Sequence, residues 1–152
     1  MKHNSKAIEK TLHYWDNVEG SNCARATACG LLSAYGKDDL IDPLYAAMLP
    51  AGGGFGERSI CGAVTGTLSG LSIILTEKLG EKAEFEEEIK EEIERWKEKM
   101  HRKFKTLICG LLLEDFEDSE GNIDVDHPER RNKCTDVVKT AVTLAQEIID
   151  KT

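Results

Sequence analysis

The sequence predicts an all-α fold, a compact bundle of about five to six helices around a buried, glycine-lined helix. Three observations predict it. Apolar residues recur at three- and four-residue spacing along most of the chain. No alternating, strand-like pattern of any length appears. The 18 residues from Ser59 to Thr76 carry no charge at all. The chain has 152 residues, a length that suits one domain covering 1–152 and supports a core without staples. There is no internal repeat.

Over residues 5–18, Ile8, Leu12 and Trp15 form a helical stripe, and Glu19-Gly20 ends it. Ser21 and Asn22 are good N-cap residues for a helix from Cys23 to Tyr35, stopped by Gly36. Asp42-Pro43 reads as a cap followed by proline at the first helical position, giving a short helix over 43–49. The run from Pro50 to Gly56 (Pro-Ala-Gly-Gly-Gly-Phe-Gly) is the strongest break in the chain.

The uncharged segment 59–76 is long enough to raise a membrane span. Its serines, threonines and glycines dilute it, and a buried central helix fits the rest of the chain better. Gly62, Gly66 and Gly70 recur every four residues and so share one face. Small residues at that spacing allow a second backbone to approach closely. At this stage the face is open to a contact within the chain or across a homodimer.

Residues 83–108 carry the clearest helical stripe, formed by Phe85, Ile89, Ile93, Trp96, Met100, Phe104 and Leu107. Glutamates crowd its start, while Arg102, Lys103 and Lys105 close it, which suits the helix dipole. Residues 114–131 are polar and read as a loop. The last helix runs from Asn132 to Asp150, with Val138, Ala141, Ala145 and Ile148 on one face.

A formal charge of -8, from 20 Lys+Arg against 28 Asp+Glu, argues against nucleic-acid binding, which calls for a basic face. It argues equally against an anionic membrane surface. The opening residues Met1-Lys2-His3-Asn4-Ser5-Lys6 show no apolar signal core. The expectation is therefore a cytoplasmic, reducing setting without membrane insertion, where cysteines serve more often as metal ligands or redox groups than as bridges.

Several motifs are look-alikes. The glycine run 52–56 lacks the Lys-Ser/Thr of a phosphate loop and follows no strand. It reads as a turn that lets the chain pass close to something. Glu117 to Asp124 resembles the middle of a calcium loop, but aligning Gly121 at position six puts Phe116 and His127 at the first and twelfth positions, where carboxylates belong. His3, His13, His101 and His127 fall in no metal-ligand spacing.

The five cysteines, Cys23, Cys29, Cys61, Cys109 and Cys134, are the unusual feature. No two form a Cys-x-x-Cys, so any site must be assembled by the fold. Cys23 follows a cap pair, Cys61 follows the glycine turn, and Cys134 falls in the first turn of a helix beginning at Asn132. Helix N-termini favour thiolates and donate to the sulfurs of an anionic cluster. Cys109 sits where the long helix gives way to Gly110. Cys29 is mid-helix, about 120° round from Cys23, and reads as core.

Asn22-Cys23-Ala24, the turn Gly52-Gly53-Gly54-x-Gly56, the run Cys61-Gly62-Ala63-Val64-Thr65-Gly66, then Cys109 and Cys134 together resemble the C_GCAxxG_C_C family of small redox-active proteins. The resemblance spans roughly 20–148 and implies that the four family cysteines are Cys23, Cys61, Cys109 and Cys134. That family is similar to the N-terminal region of split-Soret cytochromes, where such cysteines hold an iron–sulfur cluster in a helical domain. This chain has no Cys-x-x-Cys-His, so covalent haem is not implied.

The expectation is that these four cysteines ligate a [2Fe–2S] or [4Fe–4S] cluster. Backbone N–H groups at Gly62 and Gly66 would approach its sulfurs. The work would be electron transfer or redox sensing with a protein partner, rather than an enzyme reaction on a substrate of its own. Two alternatives use the same residues. One is metal-free thiol–disulfide cycling with a low-pKa Cys61 as attacker, and the other is a zinc-stabilised interaction module.

Overall fold

A computed structural model describes residues 5–80 and 82–152. The opening residues, His3 among them, lie outside the described residues. The described residues form seven α-helices: α1 (Lys6–Asn17), α2 (Cys23–Ala34), α3 (Ile41–Ala47), α4 (Gly62–Leu79), α5 (Ala83–Phe104), α6 (Cys109–Leu112) and α7 (Pro128–Lys151). No named strand occurs among the described residues, only two isolated β-bridges. The all-α reading holds, and the sequence count falls short by α6, a helical turn of four residues.

Helix α4 is the central helix. Gly62, Gly66, Gly70, Leu71, Ile74 and Leu75 are all buried in it. Its glycine face packs against α2 within the chain, which settles the choice left open by spacing alone. A Cβ at Gly66 would fall on the Ala24 carbonyl and the Thr27 hydroxyl. One at Gly70 would sit 3.3 Å from the Ala28 carbonyl. Without side chains there, the two backbones close on each other. Helix α1 lies on the other side of α2 in the same manner, with Gly30 pressed against the Thr11 backbone. This explains why the buried line of α1 centres on Ala7 and Thr11. Ile8, Leu12 and Trp15 are only half-buried beside it.

Helix α5 contributes Ile89, Trp96, Met100 and Phe104 to the core. The Trp96 indole N–H donates to the Ala141 carbonyl at 3.0 Å in a buried setting. Leaving either group unpaired would cost about 1–3 kcal/mol. The α5 ion pairs, such as Arg95 with Glu92 and Glu91, are exposed at the arginine end and add only tenths of a kcal/mol each. Helix α7 buries Val138, Ala141, Ala145 and Ile148 as its periodicity predicts. The Gln146 side-chain carbonyl ties it to the start of α1, accepting from the Ser5 hydroxyl and the Ala7 N–H. Among the described residues no helix is long and apolar enough to cross a membrane.

Four boundaries differ from the sequence expectation. Helix α3 starts two residues early at Ile41, continuing a 3-10 turn over Asp38–Leu40. Asp42 is thus inside it rather than its cap. Helix α4 starts at Gly62, because Ser59 and Ile60 are drawn into a bridge. Helix α5 stops at Phe104, where Lys105 turns into the left-handed region at φ 64°. Helix α7 starts at Pro128, four residues before Asn132. His127 caps it, its ring Nδ1 accepting from the Glu129 N–H. Proline at the first helical position was the usable signal, since its missing N–H costs nothing there.

Candidate functional site

The site is built where two irregular segments meet the starts of α2 and α4 and the first turns of α7. The first is the turn after residue 51. Gly53, Gly54, Phe55 and Gly56 all have φ between 61° and 70°, a short left-handed turn. Glycine tolerates that conformation, but for Phe55 it costs roughly 1–2 kcal/mol. The turn closes on itself, with the Ser59 N–H donating to the Gly54 carbonyl at 3.0 Å. Gly54 lies against the Cys109 Cβ, about 2.9 Å from where its own Cβ would be. The close passage expected of the glycine run is thus directed at a cysteine.

The second segment is a β-bridge between Ile60 and Ile108. The Cys61 N–H donates to the Leu107 carbonyl at 2.8 Å, and the Cys109 N–H donates to the Ser59 carbonyl at 2.7 Å. Neighbours along a strand point to opposite faces. Ile60 is exposed, so Cys61 and Cys109 turn together toward the interior. Cys61 is also the N-cap of α4, and Cys109 opens α6.

Cys23 is the first residue of α2, behind Asn22, whose side chain accepts from the Arg25 N–H at 2.8 Å. Gly62 meets the Cys23 sulfur directly, and a Cβ there would collide with it. Helix α7 supplies Cys134. Because α7 begins at Pro128, Cys134 sits in its second turn, not its first. The expectation of three cysteines at helix starts is corrected in its membership: Cys23, Cys61 and Cys109 occupy helix starts, and Cys134 does not.

Cys23, Cys61, Cys109 and Cys134 line one cavity of about 250 Å³. Cys29 is not among its lining residues. It is fully buried, with its thiol 3.8 Å from the Ile41 carbonyl. Gly62 lines the cavity, whereas Gly66 lies one turn further along α4 against Ala24 and Thr27. Gly66 therefore serves the helix seam. All five cysteines are free thiols. Among the described residues, no three His, Cys, Asp or Glu side chains stand close enough to hold a single metal ion.

Burial holds Cys61, Cys109 and Cys134 toward the neutral thiol. Burial, with Cys23 and Cys109 nearby, pushes the Cys61 thiol up to about 12. The Ala63 and Val64 amides at the start of α4 pull the other way and lose to desolvation. This corrects the expectation of a low-pKa Cys61. Burial likewise raises Cys109, opposed by Arg58 and Arg130, and Cys134, opposed by Arg130 and Arg131.

Periodicity missed the charged residues of the cavity. Arg130, Arg131 and Lys133 line it, and no aspartate or glutamate does. Arg131 is tethered to the Trp15 carbonyl at 2.9 Å and to Asp16 at 3.1 Å, and its guanidinium stacks on the Trp15 ring. Trp15 completes one wall, its indole N–H donating to Thr135 at 2.8 Å. The run Arg130-Arg131-Asn132-Lys133-Cys134 was the available signal, a basic cluster beside a cysteine in an acidic chain. The calcium-loop look-alike proves to be a structural turn. One Asp118 carboxylate oxygen accepts from the Glu120 and Asn122 N–H groups of its own loop.

The family model described as "Putative redox-active protein (C_GCAxxG_C_C)" matches residues 21–148. No curated protein and no solved structure matches the chain. The match covers most of the chain, and the protein belongs to the C_GCAxxG_C_C family.

Proposed function

We propose, taking membership of this redox-active family as the premise, that Cys23, Cys61, Cys109 and Cys134 ligate an iron–sulfur cluster and that the protein passes single electrons to and from a protein partner. The observation that carries this reading is the meeting of four thiols from four separate segments around one cavity whose charged lining is wholly cationic. Four thiolates are the usual complement of such clusters, and an anionic group suits a cationic wall. A cavity of about 250 Å³ has room for a group larger than a single zinc ion.

The donor set and the enclosure fit the group, which would supply reversible one-electron chemistry when bound. The chain's own residues perform the rest. The four cysteines must lose their protons to bind, so loading releases protons to solvent. Leu112, Leu113, Val137 and Val138 form apolar walls beside them that limit water. The packed contact of Gly62 on Cys23 fixes one ligand's distance from the α4 backbone. Thiol–disulfide cycling through Cys61 is the weaker reading, because a thiol pushed up to about 12 is a poor attacking group at neutral pH.

Purification without oxygen tests the proposal. The expected product is brown, holds iron and acid-labile sulfide in stoichiometric amounts, and loses both in Cys61→Ser. A colourless protein with four reactive thiols that takes up no iron on reconstitution would overturn it. Zinc without an electronic spectrum would restore the structural-metal reading.

A further inference from the structure

We propose that Arg130 is the charge-compensating residue of the four-cysteine site, and that it raises the reduction potential of the bound cluster. The inference rests on the iron–sulfur reading and assigns a role to a residue outside the cysteine pattern. Helix α7 begins at Pro128, so Arg130 and Cys134 are separated by one helical turn and share a face. Both line the cavity.

Among the described residues lining the cavity, Arg130 is the cation anchored by a backbone carbonyl with no carboxylate partner. Its Nε donates to the Val125 carbonyl at 3.0 Å, which holds the guanidinium in place. It has no carboxylate partner among the described residues. The other candidates differ. Arg131 is paired with Asp16 at 3.1 Å. Arg58 lies 3.6 Å from Glu117, donates to the Gly121 carbonyl at 2.8 Å and does not line the cavity. Lys133 directs its ammonium toward the Phe104 ring, 5.4 Å from its centroid.

Arg130 lines the same cavity as Cys109 of α6 and Cys134 of α7, so its positive field falls within the site. With no carboxylate lining the cavity, nothing at the wall cancels that field. In a chain of net charge -8, a cavity free of acid and faced by an unpaired guanidinium is a local reversal of sign.

The redox step balances simply. The site takes one electron from an external donor, its charge becomes one unit more negative, and no bond of the protein forms or breaks. A fixed positive charge nearby favours the more negative, reduced state. Removing it lowers the potential, and reversing it lowers the potential further.

The test is spectroelectrochemical titration of anaerobically reconstituted protein, beside thermal unfolding of the same samples. Dithionite serves as the reductant. Arg130→Gln is expected to lower the midpoint potential, and Arg130→Glu to lower it more. Arg130→Lys, which keeps the charge, should stay close to the parent. Melting temperatures should not follow that order, because a purely structural role would shift stability and leave the potential unmoved. Failure of Arg130→Glu to load, while Arg130→Lys loads at the parent potential, also supports the proposal. Equal potentials in the Gln, Glu and parent proteins would overturn it and leave the cluster reading standing. A parent protein that binds no cluster would instead overturn the reading beneath it.

Discussion

Two glycine-rich regions lie within twenty residues of each other and solve different steric problems. In the seam on α4, Gly62, Gly66 and Gly70 have ordinary helical backbones, and what matters is the missing Cβ. A side chain at Gly62 or Gly66 would strike α2, and one at Gly70 would press on it at 3.3 Å. In the turn before it, Gly53, Gly54 and Gly56 adopt positive φ, and at Gly53 and Gly56 there is open space where a Cβ would go. What matters in the turn is the backbone conformation. Gly54 is the exception, needing both the conformation and the space. The seam makes the fold, and the turn places a cysteine.

The comparison can be broken most sharply at the seam. Gly66→Val would drive a side chain into the Ala24 carbonyl, which as helix backbone cannot yield. It should cost about 1–3 kcal/mol or more, read as a fall in the denaturation midpoint. The loss should be nearly equal with and without bound iron, since Gly66 does not line the cavity.

A smaller effect is expected in the turn. Gly54→Ala meets the Cys109 Cβ and carries a left-handed penalty of roughly 1–2 kcal/mol. It should weaken cluster retention beyond its effect on apo stability. Gly53→Asn, at φ 62° with nothing nearby, should cost little, because asparagine tolerates that region. If the two turn variants behave alike, the distinction between space and conformation fails.

The smallest effect separates the two classes of buried cysteine. Burial pushes Cys29 up to about 11 and Cys61 up to about 12, from an ordinary thiol value of 9. A raised folded-state value stabilises the fold fully below pH 9, and the contribution is lost as pH climbs through 11 to 12. The apo protein should therefore lose stability across that window in chemical denaturation. Cys29→Ser should flatten part of the slope, cost a modest amount of stability and leave iron binding intact. Loss of iron in that variant would show that Cys29 belongs with the other four.

The seam was legible in the sequence because a four-residue repeat of glycine has only a few physical uses. The angular offset along α2 set Cys29 apart from Cys23, while the set of four cysteines was legible only through the family resemblance. Helix ends were less so. Phe104, Lys105 and Leu107 continue a helical pattern, yet the segment leaves the helix because Leu107 and Cys109 pair with Cys61 and Ser59. That pairing is tertiary, and no local propensity announces it. The corrected start of α7 had a local signal in Pro128, and missing it hid the shared face of Arg130 and Cys134. The raised Cys61 thiol was not legible, because a helix N-terminus lowers a thiol only when burial does not outweigh it.

The Ile60–Ile108 bridge bears on the order in which the molecule assembles. It joins positions far apart in sequence, across a hairpin made of α4 and α5, and closing so long a loop is entropically slow until the helices inside it have docked. Cys61 and Cys109 therefore become neighbours late, as the clasp on a finished hairpin rather than its seed. The amide hydrogens of Cys61 and Cys109, both spent in that clasp, should exchange with solvent on the timescale of the hairpin's opening. A group gripping both residues would hold the hairpin shut, so metal loss and hairpin opening should share one rate.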